Sequence, residues 1–270
     1  MTRAAAAVLA CIALAGCGSP EARIHPSLEA LVPGDAVMLA GVRADALRNT
    51  KAWSERVSQL VHSALPANAA GEAGIDVRRD VDEVLAVWDG VHLVAYARGR
   101  FDGHTGERFG AGKASGIFLN ETTLVIGSRE DVAWVLRQRG RMQGPSGALK
   151  ELMSELPGDS QVWLVAVGGR PPDVHGTLLN FAQMLWIAQN VRAAIRFGEN
   201  AKLSAEITAL SDRDAARLND GLTALADLAR LSAGDAAVAK AIEGVQFARN
   251  GRVVSIDAAL TPEQIERLAR

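Results

Sequence analysis

The phrase Pro-Gly-Asp occurs twice ahead of an apolar run, in LVPGDAVMLAGVR (31–43) and ELPGDSQVWLVAVGG (155–169), and this recurrence restricts the fold more than any other feature of the chain. Pro presets a turn conformation and the apolar run after it reads as a buried strand, so each copy predicts a turn feeding a strand. The segments after the two copies are also parallel. Residues 44–65 carry Leu47, Trp53, Val57, Leu60, Val61 and Leu65 near helical spacing, and 173–191 is a second helical stretch. Each helix leads to a strand pair: DEVLAVWDG with VHLVAYARGRF, turning at Asp89-Gly90, and VRAAIRFGEN with AKLSAEITALS, turning at Gly198-Glu199-Asn200. A last hairpin closes each half, turning at Asn120-Glu121 and at Asn250-Gly251.

Both halves end in a helix with a legible start. Ser128 has Asp131 three residues on, while Thr261 precedes Pro262 at the first helical position and Gln264 at the third. The halves differ where 211–243 supplies a long helix and a shorter one, against a glycine-rich loop at 102–115. The expected fold is α+β: two repeated halves, 31–150 and 151–270, of antiparallel strands with helices on one face, close to a split βαβ or ferredoxin-like arrangement.

The leader predicts location. Arg3 is the only charged residue before position 21, and Ala4 to Ala15 is an apolar stretch ending in small residues, which is the layout of a secretory signal peptide. It is shorter than the roughly 20 apolar residues of a membrane span. Leu14-Ala15-Gly16-Cys17 resembles the lipobox of bacterial lipoproteins, which implies cleavage after residue 16 and lipidation of Cys17. The other cysteine, Cys11, leaves with the leader, so the mature chain has no thiol for a disulfide. Residues 17–30, polar and carrying two prolines, read as a linker between lipid and fold. Gly18 stands where the resemblance would put an inner-membrane retention aspartate, so the outer membrane is favoured over the inner, with the protein facing the periplasm.

The pattern PGDAVMLAGVRADALR, then DVRRDVDEVLAVWDG, then ARGRF resembles a group of uncharacterised bacterial lipoproteins with duplicated α+β halves, a domain of unknown function. The resemblance implies architecture and location and supplies no activity or site residues.

Losing the leader takes Arg3 from 29 basic residues, leaving 28 against 31 acidic ones. Nucleic acid is therefore not an expected partner, since its binders concentrate basic residues on one face, and here arginines alternate with carboxylates, as in Arg78-Arg79-Asp80-Val81-Asp82-Glu83. The stretch FDGHTGERFGAGKASG (101–116) invites comparison with a phosphate loop and fails it: Glu107 stands where the first glycine belongs, and Ala114 comes after Lys113 in place of Ser or Thr. His25, His62, His92, His104 and His175 lack the spacing of a zinc helix. The cluster Asp76, Asp80, Asp82, Glu83 reads as a helix start, and no nucleophile elbow occurs. No catalytic, cofactor or metal site is expected.

One candidate partner surface stands out. In VHGTLLNFAQMLWIAQNV (174–191), Leu178, Leu179, Phe181, Ala182, Leu185 and Trp186 fall on one arc of a helix, while Met184, Ile187 and Val191 extend apolar character around its side; this surplus either packs against the first half or, as a surface of Met184, Trp186, Ile187 and Val191 anchored by Trp186, docks an envelope protein partner. The chain reads as a lipid-anchored, non-enzymatic envelope protein, a binding or adaptor module. The alternative is an envelope hydrolase with its site in a cleft between the halves.

Overall fold

The computed structural model describes residues 24–48, 50, 74–111, 114–168 and 187–268. Cys17, Met184, Trp186 and the helical positions expected at 53–65 and 173–186 lie outside them.

Among the described residues eleven strands build one antiparallel sheet: β1 (Met38–Arg43), β2 (Val81–Trp88), β3 (Leu93–Gly99), β4 (Arg108–Ala111), β5 (Ala114–Asn120), β6 (Thr123–Ser128), β7 (Val162–Val167), β8 (Ala188–Phe197), β9 (Ala201–Ala209), β10 (Gln246–Asn250) and β11 (Val253–Leu260). Their spatial order is β10-β11-β9-β8-β7-β1-β2-β3-β6-β5-β4. The two strands that come after Pro-Gly-Asp are central neighbours, with Met38 opposite Ala166 and Val42 opposite Val162. Gly41 faces Trp163 in this ladder, and a Cβ there would run into the indole. The glycine leaves the space that the tryptophan fills.

Among the described residues eight α-helices flank the sheet: α1 (Pro26–Glu29), α2 (Ala44–Arg48), α3 (Val77–Asp80), α4 (Arg129–Gln138), α5 (Gly147–Ser154), α6 (Asp212–Ser232), α7 (Ala236–Glu243) and α8 (Pro262–Leu268). Strand residues alternate between two faces. On one face Leu39, Leu85, Val87, Tyr96, Val125, Trp163 and Val165 are buried with Leu28 of α1, Val132 and Val135 of α4, and Leu149 and Leu152 of α5. On the other, Val84, Ala97, Phe118 and Leu124 bury Leu47 of α2, and Ile207 and Val254 bury Ala215, Leu218 and Leu222 of α6.

Four expectations are corrected. Helices lie on both faces, because both alternating sets of strand residues are apolar in the first half. The split βαβ arrangement fails: β1 pairs β2 directly and antiparallel, with Arg43 opposite Glu83, so the connection starts and returns at the same sheet end and needs no crossover. Residues 24–30, expected within the linker, belong to the fold, since Ile24 and Leu28 stand four apart and both enter the core. The helix expected through 191 has given way to β8 by Ala188, so Val191 is a strand residue. In addition, the division between 150 and 151 falls inside α5.

The start of the described chain is pinned beside β2. The His25 backbone N–H donates to Glu83 Oε1 at 3.2 Å and Arg98 Nε donates to Glu83 Oε2 at 3.4 Å. Burial nonetheless pushes the Glu83 carboxyl above the usual range, against the pull of both donors.

Candidate functional site

A well-defined cleft opens where β2 turns into β3. Gly90 has φ of 100°, a value that favours glycine, and the turn is locked by its first residue. Asp89 Oδ1 accepts from the Val91 and His92 backbone N–H groups at 2.8 and 2.6 Å. Its other oxygen, Oδ2, lies 3.0 Å from His92 Nδ1. Burial works against the charged Asp89, but these donors outweigh it and hold its carboxyl below the ordinary aspartate range. An ionised Asp89 only accepts, so His92 Nδ1 carries the proton and Nε2 is the ring position left open among the described residues.

The imidazole is also held by stacking. Its centroid is 4.4 Å from that of Trp134, with 13° between the planes. Trp134 is positioned by α4, whose start is fixed as expected: the Asp131 N–H donates to Ser128 Oγ at 3.1 Å, and the Ser128 N–H donates back to Asp131 Oδ2 at 3.3 Å. Pro33, Gly34 and Asp35 form the facing wall, and Gln138, Arg141 and Gln143 complete a cleft of about 640 Å³. Its lining offers an imidazole, a guanidinium, two side-chain amides and two carboxylates, Asp35 and Asp89. Such a set can recognise polar groups.

A second cleft, about 330 Å³, lies where α5 meets β8 and β9. Arg192 engages both its near carboxylates, Glu155 and, at 2.7 Å, Glu206. A third carboxylate, Glu151, and the Thr208 hydroxyl line the same cleft.

The other residues singled out in the sequence are scattered over the fold. Ile187 and Val191 are half-buried against Ile207, Leu218 and Val254. Asp76 caps α3, while Asp82 is paired with Arg48 and Arg98. His104 lies 2.7 Å from Glu107 and stacks on Phe118. Among the described residues no group of three His, Cys, Asp or Glu side chains could hold a metal ion, and no helix is long and apolar enough to cross a membrane. Sequence reasoning misses the Asp89–His92–Trp134 set because it weighs histidines by metal spacing; the available signal is Asp-Gly-x-His across a hairpin turn.

No protein-family model matches the sequence, and no curated protein is similar to it. Two crystal forms of TP0453 share the fold. One has a TM-score of 0.52 at 11% identity, covering 92% of this chain and 97% of that one. The other has a TM-score of 0.53 at 11% identity, covering 92% and 99%. At this identity the likeness is one of fold.

Proposed function

We propose that this chain is a lipid-anchored protein of the bacterial cell envelope that acts without catalysis, as a binding or adaptor module, and that the His92 cleft is the surface it offers its partner. The observation that carries the anchor is Leu14-Ala15-Gly16-Cys17 at the end of an apolar run, a few residues ahead of Ile24, which is buried in the core. Acyl chains contribute about 0.8 kcal/mol per buried CH₂, and two or more hold a protein stably at a membrane. Seven residues span at most about 25 Å, so the lipid would sit close to the Glu83 end of β2. The cleft opens at the other end of that strand, about 20 Å away.

The binding reading rests on a cleft in which His92 is held by a hydrogen bond to Asp89 and by stacking on Trp134, beside Arg141, Gln138 and Gln143. We also infer that the chain is a duplication in which β1-β2-β3-β6-β5 corresponds to β7-β8-β9-β11-β10. Support comes from the identical strand order outward from the centre and from Pro33 and Pro157, each five residues ahead of its strand. β4 and the α6–α7 pair are additions to one half each.

Two measurements test the function. Cys17→Ser should abolish fatty-acid incorporation and move the protein out of the membrane fraction; a wild-type chain that takes up no lipid ends the anchor reading. A photo-crosslinker at Arg141 should capture an envelope partner, and Trp134→Ala should remove that product while the fold survives. Undiminished capture by Trp134→Ala would place the partner elsewhere.

A further inference from the structure

The two Pro-Gly-Asp turns differ in what surrounds their aspartates. After the second turn, Asp159 lies 3.6 Å from Arg196 Nη1, and Arg196 stands opposite Lys202 across the hairpin of β8 and β9. The ladders give the matching positions in the first half. Met38 faces Trp88 as Val162 faces Ile195, so Asp89 takes the place of Arg196. His92, whose carbonyl accepts from the Asp89 N–H at 3.3 Å, takes the place of Lys202. Asp35, the counterpart of Asp159, thus has a carboxylate at the position from which its twin draws a guanidinium. Asp89 is satisfied within its own turn by the Val91 and His92 N–H groups and the imidazole. Asp35 forms no ion pair among the described residues.

The same cleft holds the opposite charge. Arg141, exposed beyond the end of α4, likewise has no ion pair among the described residues. Asp35 and Arg141 line one cleft without meeting, so a ligand that satisfies both carries a cation and an anion, and the planar guanidinium of Arg141 suits a carboxylate. Gln138 and Gln143 offer amides that donate and accept, as a peptide bond requires. His92 Nε2, with the ring proton held on Nδ1, accepts an N–H. Pro33, Met142 and the 81% exposed Val91 add an apolar margin for small side chains. The volume, about 640 Å³, falls within the roughly 300–1,000 Å³ of sites for small ligands.

We propose that the His92 cleft takes a short peptide with a free ammonium and a free carboxylate, the ammonium at Asp35 and the carboxylate at Arg141. This rests on the reading of the cleft as the binding surface and adds the class of its ligand. A zwitterionic lipid headgroup carries the same two signs of charge, but the cleft opens at the end of β2 remote from the anchor, away from the membrane surface.

Calorimetric titration of the full-length chain in detergent tests this with trialanine, N-acetyl-trialanine and trialanine amide. Trialanine should bind, and each blocked form should bind about tenfold more weakly or worse, since each loses one charge-assisted contact. Asp35→Asn should bind the free and acetylated peptides alike, and Arg141→Gln the free acid and the amide alike, both at an unchanged thermal midpoint. Asp159→Asn, the second-half counterpart, should keep the parent's full discrimination. No binding of trialanine at about 10 mM, equal affinity for free and blocked peptides, discrimination that survives Asp35→Asn and Arg141→Gln, or displacement of trialanine by glycerophosphoethanolamine would each overturn the proposal. Photo-crosslinking at Arg141 separates the two readings: if trialanine fails while capture still depends on Trp134, the ligand class is wrong and the cleft remains the binding surface, whereas loss of both removes the binding reading as well.

Discussion

Tyr96 is fully buried in the core beneath α4, and its hydroxyl oxygen finds no hydrogen-bond partner among the described residues. Burial, with the nearby Asp89 charge, pushes its ionisation well above the ordinary tyrosine range, so it stays neutral. A buried hydroxyl without a partner costs about 1–3 kcal/mol of desolvation. Tyr96→Phe should therefore leave stability unchanged or raise it, read as the urea midpoint at constant m; a fall above about 1 kcal/mol would reveal a bond the hydroxyl does make. Asp89 has the opposite character. Its lowered carboxyl favours the folded state above the ordinary aspartate range, near pH 3.9, and this contribution disappears as pH drops through the folded value. Asp89→Asn should cost about 1–3 kcal/mol at pH 7 and almost nothing near pH 2, so denaturation curves of the two proteins should converge on acidification. A constant gap across pH would show that the carboxylate charge is not involved.

At the level of elements, close packing of aromatic rings over glycine recurs. Trp163 covers Gly41 at the centre of the sheet and Phe109 covers Gly116 near its edge, each pair in direct register. Gly41→Ala should destabilise by about 1–3 kcal/mol or more through the displaced indole, with a matching change in tryptophan fluorescence, whereas Gly140→Ala, where nothing crowds the added Cβ, should be mild. These pairs also mark the limit of what the sequence discloses. Turns at Asp89-Gly90 and Asn250-Gly251 and the caps at Ser128 and Thr261 depend on residues within a few positions, and the structure has each where local chemistry puts it. β4 is different: Arg108-Phe109-Gly110-Ala111 has no clear alternation and becomes a strand through its pairing with β5. The role of Ile24 and Leu28 is hidden in the same way, because Pro, Ser and Glu around them read as linker while a distant core decides their burial. His92 needs Trp134, on a later helix, to become a feature at all.

For the whole molecule, the sheet passes from one half to the other without a break. Trp163, Val165 and Ala194 share the core that holds α1, α4 and α5, so no plane divides the structure into independent cores. Unfolding should be a single cooperative transition, with amides of β3 and β9 losing hydrogen-exchange protection together. Trp163→Ala, at a cost of about 3–5 kcal/mol, should lower protection on both sides equally. Two resolved transitions, or loss confined to β7–β9, would contradict this.

The pairing of β1 with β7 also sets a timetable. β1 ends at Arg43, yet the strand that completes its far side begins only at Val162. At synthesis rates of about 5–20 residues per second, the interval between them is on the order of ten seconds. Throughout that time the earlier strands can form their hairpins while one side of β1 stays bare and Gly41 waits for its indole. The middle of the finished sheet is thus its last exposed border, and the nascent chain is most vulnerable to wrong partners at the place where the mature protein is best protected.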